Sequence, residues 1–358
     1  MELAELVGLR PVPGAGLLLT LTRSCPLSCA HCSTSSTMAG EGPDPVQLLR
    51  FADSFSAEDR PEVVLLTGGE PLLLPGLVGE LAALVRAAGA RSALLSGMFF
   101  ARGGRIPARI MRAISAVDHF SASLDAFHER EVPRADVFSA VHRVLDAGIP
   151  ASFHLTGTGP EDPYLADVTA AVRREFDDRV PMLVNQIRPV GRAASWAAAT
   201  AHRPDPDRAL PCAMAAWPVV AFDGTVLACC NQQTVDRRPA PDHLVLGHIA
   251  EDDWGTVRRR SLTSPVLRLV RTVGPAHLYA RYGAEPSTTG YCAGCRSLSE
   301  HPEVIAGAVR DASGPVGELL DREAARRQAE AGPVELMRRH GCAPYADLVA
   351  LSGAGSQA

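Results

Sequence analysis

The sequence predicts an α/β fold built on a barrel-like parallel sheet, followed by a cysteine-bearing region and a helical tail. Three observations carry that expectation. Short apolar runs alternate with amphipathic stretches from residue 17 to about residue 190, two glycines stand just past two of those stretches, and most cysteines fall in groups. Six runs separated by five or six helix candidates mean parallel strands joined by crossover helices.

Taken in order, the runs are Leu17 to Leu21, Val63 to Leu66, Ala93 to Leu95, Phe120 to Leu124, Ala151 to Leu155 and Met182 to Ile187. The helix candidates between them are Pro45 to Phe55, Leu77 to Ala88, Pro107 to Ile114, Val137 to Ala147 and Leu165 to Phe176. Gly89 and Gly148 stand where a helix C-cap needs a residue free to take positive φ. In such a sheet, function collects on the loops that follow the strand C-termini. Residues 191 to 211 read as an Ala/Pro/Asp/Arg-rich linker. From 212 to about 300 the chain reads as irregular, with one short strand near Pro218 to Phe222. The tail from His301 is helical in character, with Arg322, Arg326, Arg327, Arg338 and Arg339 on polar faces. A solvated helix face is the plain meaning of those arginines, and an anionic partner is the alternative.

Composition narrows the chemistry. The 358 residues are 46% hydrophobic and 21% charged, which suits one large soluble domain or two of moderate size. There is no lysine: all 35 basic residues are arginine. That excludes a Schiff-base lysine, a pyridoxal-phosphate aldimine and a P-loop, each of which needs a lysine amine. The net charge of −5 gives no reason to expect a nucleic acid. The chain shows neither a signal peptide nor an 18-residue apolar run, so no membrane partner and a cytoplasmic location are expected. Thiols stay reduced there.

The nine cysteines then need an account. Eight of them group as Cys25, Cys29, Cys32; Cys212, Cys229, Cys230; and Cys292, Cys295; Cys342 is alone. Metal coordination needs such clustering, because ligands must converge on one centre. Cys25, Cys29 and Cys32 form C-x3-C-x2-C in the loop after the first run. Three thiolates from one loop can hold three irons of a [4Fe–4S] cube, leaving the fourth iron open to a non-protein ligand. Zinc is the alternative; it needs a fourth ligand, and His31 sits awkwardly between two cysteines.

The loop Cys25-Pro-Leu-Ser-Cys29-Ala-His31-Cys32, with Thr67-Gly68-Gly69-Glu70-Pro71 after the second run, resembles the radical S-adenosylmethionine (radical SAM) superfamily. The resemblance implies a partial (β/α)6 TIM-like barrel whose open iron chelates the amino and carboxylate groups of SAM. It implies reductive cleavage of SAM to a 5′-deoxyadenosyl radical that abstracts hydrogen, and an electron donor such as flavodoxin or ferredoxin. Gly68 and Gly69 would let backbone approach a ligand, and Glu70 would pair with an ammonium; a plain turn closed by Pro71 is the other reading. Ser121-Ala-Ser123-Leu-Asp125 resembles the family's SAM-contacting segment, which implies that Ser123 and Asp125 touch the methionine end of SAM or the substrate, in competition with helix capping. His128 and Glu129 read as a first turn. Ser96-Gly97-Met98 departs from the asparagine-bearing loop of relatives. His154, Asn185, Gln186 and Arg188 are polar residues in apolar runs, either lining the barrel or simply satisfied inside it.

Cys212, Gly224-x4-Cys229 and Cys292-x2-Cys295 resemble the SPASM/twitch extension of some radical SAM enzymes. The chain lacks the further cysteines of a full SPASM domain, so the resemblance implies the shorter twitch form. One auxiliary [4Fe–4S] cluster would sit on Cys212, Cys229, Cys292 and Cys295. Structural zinc on the same four is the alternative, and Cys230 can replace Cys229. The expected division is an N-terminal segment 1–16, a radical SAM core 17–195, a twitch domain 196–300 and a helical extension 301–358. Cys230 and Cys342 are left over, either as small buried residues or as hydrogen donors in an epimerisation. Two substrate classes follow. One is a small polar metabolite, dehydrogenated or epimerised in natural-product tailoring. The other is a ribosomally made peptide, against which stands the short stretch before the first run. A non-catalytic iron–sulfur protein is a third reading.

Overall fold

The computed structural model describes residues 1–197, 209–285 and 290–352. After helix α1 (Leu3–Gly8), six strands alternate with five helices. They are β1 (Gly16–Thr20), α2 (Pro45–Asp53), β2 (Val63–Thr67), α3 (Pro75–Ala87), β3 (Arg91–Ser96), α4 (Ala108–Ile114), β4 (His119–Ser123), α5 (Arg134–Asp146), β5 (Ala151–Gly157), α6 (Pro163–Glu175) and β6 (Met182–Gln186). Neighbouring strands in this set pair in parallel, giving the partial TIM-like barrel that the alternation predicts. Helix ends follow local chemistry. Asp44 and Asp162 cap α2 and α6 ahead of a proline, and Gly89 and Gly148 take φ of 79° and 77° at the turns that leave α3 and α5.

Side chains alternate across each strand, so the sheet has two distinct faces. Leu17, Leu19, Val64, Leu66, Leu94, Phe120, Phe153 and Val184 pack with Phe51, Leu81, Val85, Val144 and Val168 in the helix-facing core. Full burial of each such side chain stabilises the fold by about 1.5–3 kcal/mol. On the concave face Leu18, Val63, Leu65 and Ala93 meet Trp217 and Leu6 of α1. Polar residues also point there. His119 lies 2.8 Å from Ser152 Oγ and 3.0 Å from the Met1 carbonyl.

Burial pushes His119 down to about 4, so it is held neutral. Its ordinary value is about 6.5. Between these limits the unfolded chain binds more protons, so this contribution is complete above pH 6.5 and is lost as the pH falls toward 4. It amounts to about 3 kcal/mol. His119→Gln should therefore flatten the fall in urea midpoint between pH 7 and pH 4.5; a slope equal to wild type would refute the assignment.

Beyond β6 the expectations need correction. Residues 191–197 are not a free linker: Gly191–Ser195 is a 3-10 turn packed on the first cysteine loop, while residues 198–208 lie outside the described residues. The described residues between 212 and 300 are far from irregular. They form β7 (Val219–Val220), β8 (Thr225–Leu227), α7 (Gln232–Val235), β9 (Val245–His248), α8 (Trp254–Thr263), α9 (Pro265–Thr272), α10 (Pro275–Tyr282) and α11 (Tyr291–Ser297). β7 pairs in parallel with β1, and the sheet runs β6-β5-β4-β3-β2-β1-β7-β8-β9 without a break. The tail is helical as expected, with α12 (Pro302–Ala312), α13 (Pro315–Glu330) and α14 (Gly332–His340). Its arginines pair with Glu318, Glu323, Glu330 and Glu335 on exposed faces. Arg271 and Asp321, both buried, pair at 2.6 Å and tie α13 to α9.

Candidate iron–sulfur and S-adenosylmethionine site

The loop from Thr22 to Thr37 leaves β1 and carries Cys25, Cys29 and Cys32. Its base is fixed by the turn after β2. Gly69 N donates to Thr22 O at 2.6 Å and Glu70 N to Ser24 O at 2.9 Å. A Cβ at Gly68, where φ is 140°, would fall 2.3 Å from Thr22 O; one at Gly69 would fall 2.4 Å from Ser24 O. The two glycines are therefore required by the contact between these loops, a role that the expected approach to a ligand did not include.

The three thiols share one locality, since Cys25 is held up by Cys29 and Cys32. Burial first, then Glu70 and these sulfurs, push Cys25 up to about 12. At Cys32 burial opposes ionisation, but hydrogen bonds from Thr34 and Ser36 and the charge of Arg192 outweigh it, and the thiol lies below its ordinary value. A cluster would take up all three as thiolates.

Glu70 is fully buried. Its carboxylate accepts from Leu72 N at 3.0 Å and Gly97 N at 2.8 Å, and Ser96 Oγ lies 3.0 Å from both oxygens. Burial raises it to about 7 against these hydrogen bonds. Among the described residues Glu70 has no cation within ion-pair distance. Ser96 and Gly97 thus acquire a definite task, to aim Glu70, even though their loop departs from the asparagine pattern.

Asp125 does two things at once. Oδ1 accepts from Phe127 N and His128 N at 2.9 and 3.0 Å and so closes a turn; no helix starts here, and the expected helix cap is corrected to a turn. Oδ2 meets His128 Nδ1 at 2.7 Å and His31 Nε2 at 3.2 Å. Burial disfavours both charges, but the Asp125–His128 pair wins: Asp125 is held well below the carboxylate range and His128 is raised to about 10. His31 also stacks on Phe127 at 4.7 Å. His31 is thereby committed to Asp125, so the structure does not gather it with the three thiols. His128 is more than a turn residue, because its ring pairs with Asp125 and stands edge-on to His31 at 5.3 Å between ring centres. Ser123 lies opposite His154 in the β4–β5 register. His154 Nε2 is 2.9 Å from Asn185 Nδ2, and burial pushes it down to about 4. Gln186 turns to Thr158 O, and Arg188 lies 3.5 Å from His340 O.

The second set comes from three places. Cys212 precedes a 3-10 turn, Cys229 and Cys230 follow β8, and Cys292 and Cys295 lie on one face of α11. Cys295 is raised by burial and then by the charges of Cys212, Cys229 and Cys292, while Cys230 acts on both Cys229 and Cys292, so the five thiols share one neighbourhood. Arg10 Nη2 donates to the Cys230 sulfur at 3.1 Å, and Cys230 packs with Val219, Ala221, Leu227 and Leu18, on the concave side. Cys342 is buried in the main apolar core, with its N–H on Val184 O of the edge strand β6.

A partial parallel barrel with three neighbouring thiols on its first loop offers a donor set of the kind that iron–sulfur proteins use. Its particular kind follows from comparison: residues 19–169 match the sequence description "Radical SAM superfamily", and this stretch is a radical SAM domain. Such a domain implies a [4Fe–4S] cluster and SAM, which the Cys25, Cys29 and Cys32 thiols and the buried Glu70 fit. Among solved structures, SuiB of Streptococcus suis is 11% identical, with 75% of this chain and 74% of that chain covered and a TM-score of 0.49. SuiB bound to S-adenosylmethionine is 10% identical, with 75% of each chain covered and a TM-score of 0.48. Native anSMEcpe with bound AdoMet and Cp18Cys peptide is 13% identical, with 82% of this chain and 99% of that chain covered and a TM-score of 0.46. No curated protein matches the sequence. Among the described residues no helix is long and apolar enough to cross a membrane.

Proposed function

We propose that the chain is a radical SAM oxidoreductase that removes hydrogen from a small polar metabolite, such as a sugar or aminocyclitol, and completes its oxidation through an auxiliary cluster. The observation that supports this is the grouping of the cysteines into three on the first loop and a second neighbourhood of Cys212, Cys229, Cys230, Cys292 and Cys295, of which all but Cys230 are taken as ligands. Three thiolates leave one iron open for SAM; four leave none and suit electron transfer. When bound and reduced, the cluster with SAM on its open iron supplies the electron that cleaves SAM to methionine and the 5′-deoxyadenosyl radical. An electron donor of the flavodoxin or ferredoxin type would deliver it.

The protein's own groups then have assigned tasks. Gly69 and Pro71 fix the turn that carries Glu70, whose buried carboxylate accepts the SAM ammonium in place of a protein cation. Ser123 and Asp125 border the same space. His154, neutral at pH 7, and Asn185 offer hydrogen-bonding groups to substrate hydroxyls on the concave face. Cys230 stands on that side as the hydrogen donor that would turn oxidation into epimerisation; Cys342, buried beside the edge strand β6, is the other candidate donor. In this reading residues 17–195 are the catalytic core, 196–300 the auxiliary unit and 301–358 an extension.

The test is anaerobic. Reconstituted protein given SAM and dithionite should release 5′-deoxyadenosine; none above background, with clusters verified, would sink the enzyme reading. Candidate sugars and aminocyclitols are then turned over in deuterated buffer. Oxidised product without deuterium is expected. Deuterium in the product would mean return from an exchangeable thiol, and turnover of short peptides alone would replace the metabolite by a peptide.

A further inference from the structure

Residues 191–197, which follow the last barrel strand, are not needed to finish the barrel, yet they make a dense set of contacts with the backbone of the first cysteine loop. Arg192 N donates to Cys32 O at 3.0 Å, Nε to Cys29 O at 2.8 Å and Nη1 to Ser36 O at 2.6 Å. Trp196 Nε1 donates to Ala30 O at 3.1 Å, and its ring packs on Phe127, which in turn stacks on His31. Gly191, at φ 56°, comes so close that a Cβ would fall 2.2 Å from Ser33 O and 2.3 Å from Cys32 O. Arg192 has no carboxylate within ion-pair distance among the described residues, so its charge is left to face the loop.

We infer that Gly191–Trp196 is a clasp for the cluster loop and that Arg192 is its positioning residue, holding two loop carbonyls with a forked guanidinium and placing a positive charge beside Cys32. The inference rests on Cys25, Cys29 and Cys32 being cluster ligands. A bare loop of this length would sample many geometries, and only those with all three sulfurs converging can hold a cube. Two donors in a planar fork fix the Cys29 and Ser36 carbonyls together, which a single ammonium cannot do. A cation beside a thiolate ligand stabilises the more negative, reduced cluster.

The test compares Arg192→Gln and Arg192→Lys with wild type and with Arg339→Ala, a surface control on α14. Iron content, circular dichroism, the cluster's midpoint potential by electron paramagnetic resonance and the rate of 5′-deoxyadenosine release are measured. For Arg192→Gln the potential should move to more negative values and the rate should fall about tenfold or more. Arg192→Lys should keep the wild-type potential, because the charge remains, yet still lose rate, because the fork is gone. If Arg192→Gln is insoluble, the lysine variant carries the test. Wild-type potential and rate in Arg192→Gln, or a wild-type rate in Arg192→Lys, would overturn the inference. A wild-type protein that loads no cluster on the first loop would instead overturn the proposed function, and the two failures are read from different samples.

Discussion

Cys25→Ala should abolish 5′-deoxyadenosine formation while leaving the fold intact. The first loop offers three thiols, and the only other ligand type in it, His31, is engaged with Asp125 at 3.2 Å. No local replacement is at hand, so the cube loses a corner. Iron per chain should drop from about eight to about four, the remainder belonging to the second set. Cys25 is only half-buried, and the backbone contacts of Gly69 and Glu70 to this loop do not use its sulfur. The circular dichroism spectrum should therefore match wild type. Full SAM cleavage by this variant would remove Cys25 from the ligand set.

Cys292→Ala should give the opposite dissociation. Iron again falls to about four per chain, but SAM cleavage continues, because the first loop is untouched. Product formation should be lost or uncoupled, with 5′-deoxyadenosine released in excess of oxidised substrate. Cys292 and Cys295 sit three apart on α11, so the loss of one thiol leaves its partner facing a three-ligand site. Metal analysis of the wild type supplies the competing result: about four irons with one zinc would assign the second set to structural zinc. Unchanged iron in Cys229→Ala, with Cys230→Ala losing it, would exchange the ligand roles of these two adjacent cysteines.

The first half of the fold was legible because its strands and helices are long enough to show a period. The six runs lie within a residue or two of the observed strands, and the glycines after α3 and α5 behave as C-cap chemistry requires. The second half was hidden for physical reasons. β7 to β9 have two to four residues each, too few for alternation to register. Helices α8 to α11 have seven to ten residues, about two to three turns each, and α9 buries Arg268 and Arg271 on the face opposite its apolar residues. Those arginines are satisfied by Ala312 O, Gly314 O and Asp321, partners far away in sequence. At the site, the cysteines and Glu70 stood out by spacing. His31, His128 and Arg192 did not, because their roles depend on Asp125 and on loop carbonyls that only the folded chain brings near.

The return of the chain after α14 has one more effect. β6 is the terminal strand of the parallel set, and Cys342 N donates to Val184 O at 2.9 Å, while Gly341 lies so close that a Cβ would fall 2.8 Å from that oxygen. A terminal strand left bare is a template on which a second molecule can add a strand of its own. The segment from Gly341 occupies that template from within the same molecule. It places one hydrogen bond on a carbonyl that would otherwise invite self-association, so the leftover Cys342 sits where its backbone, more than its thiol, bears on the solution behaviour of the protein.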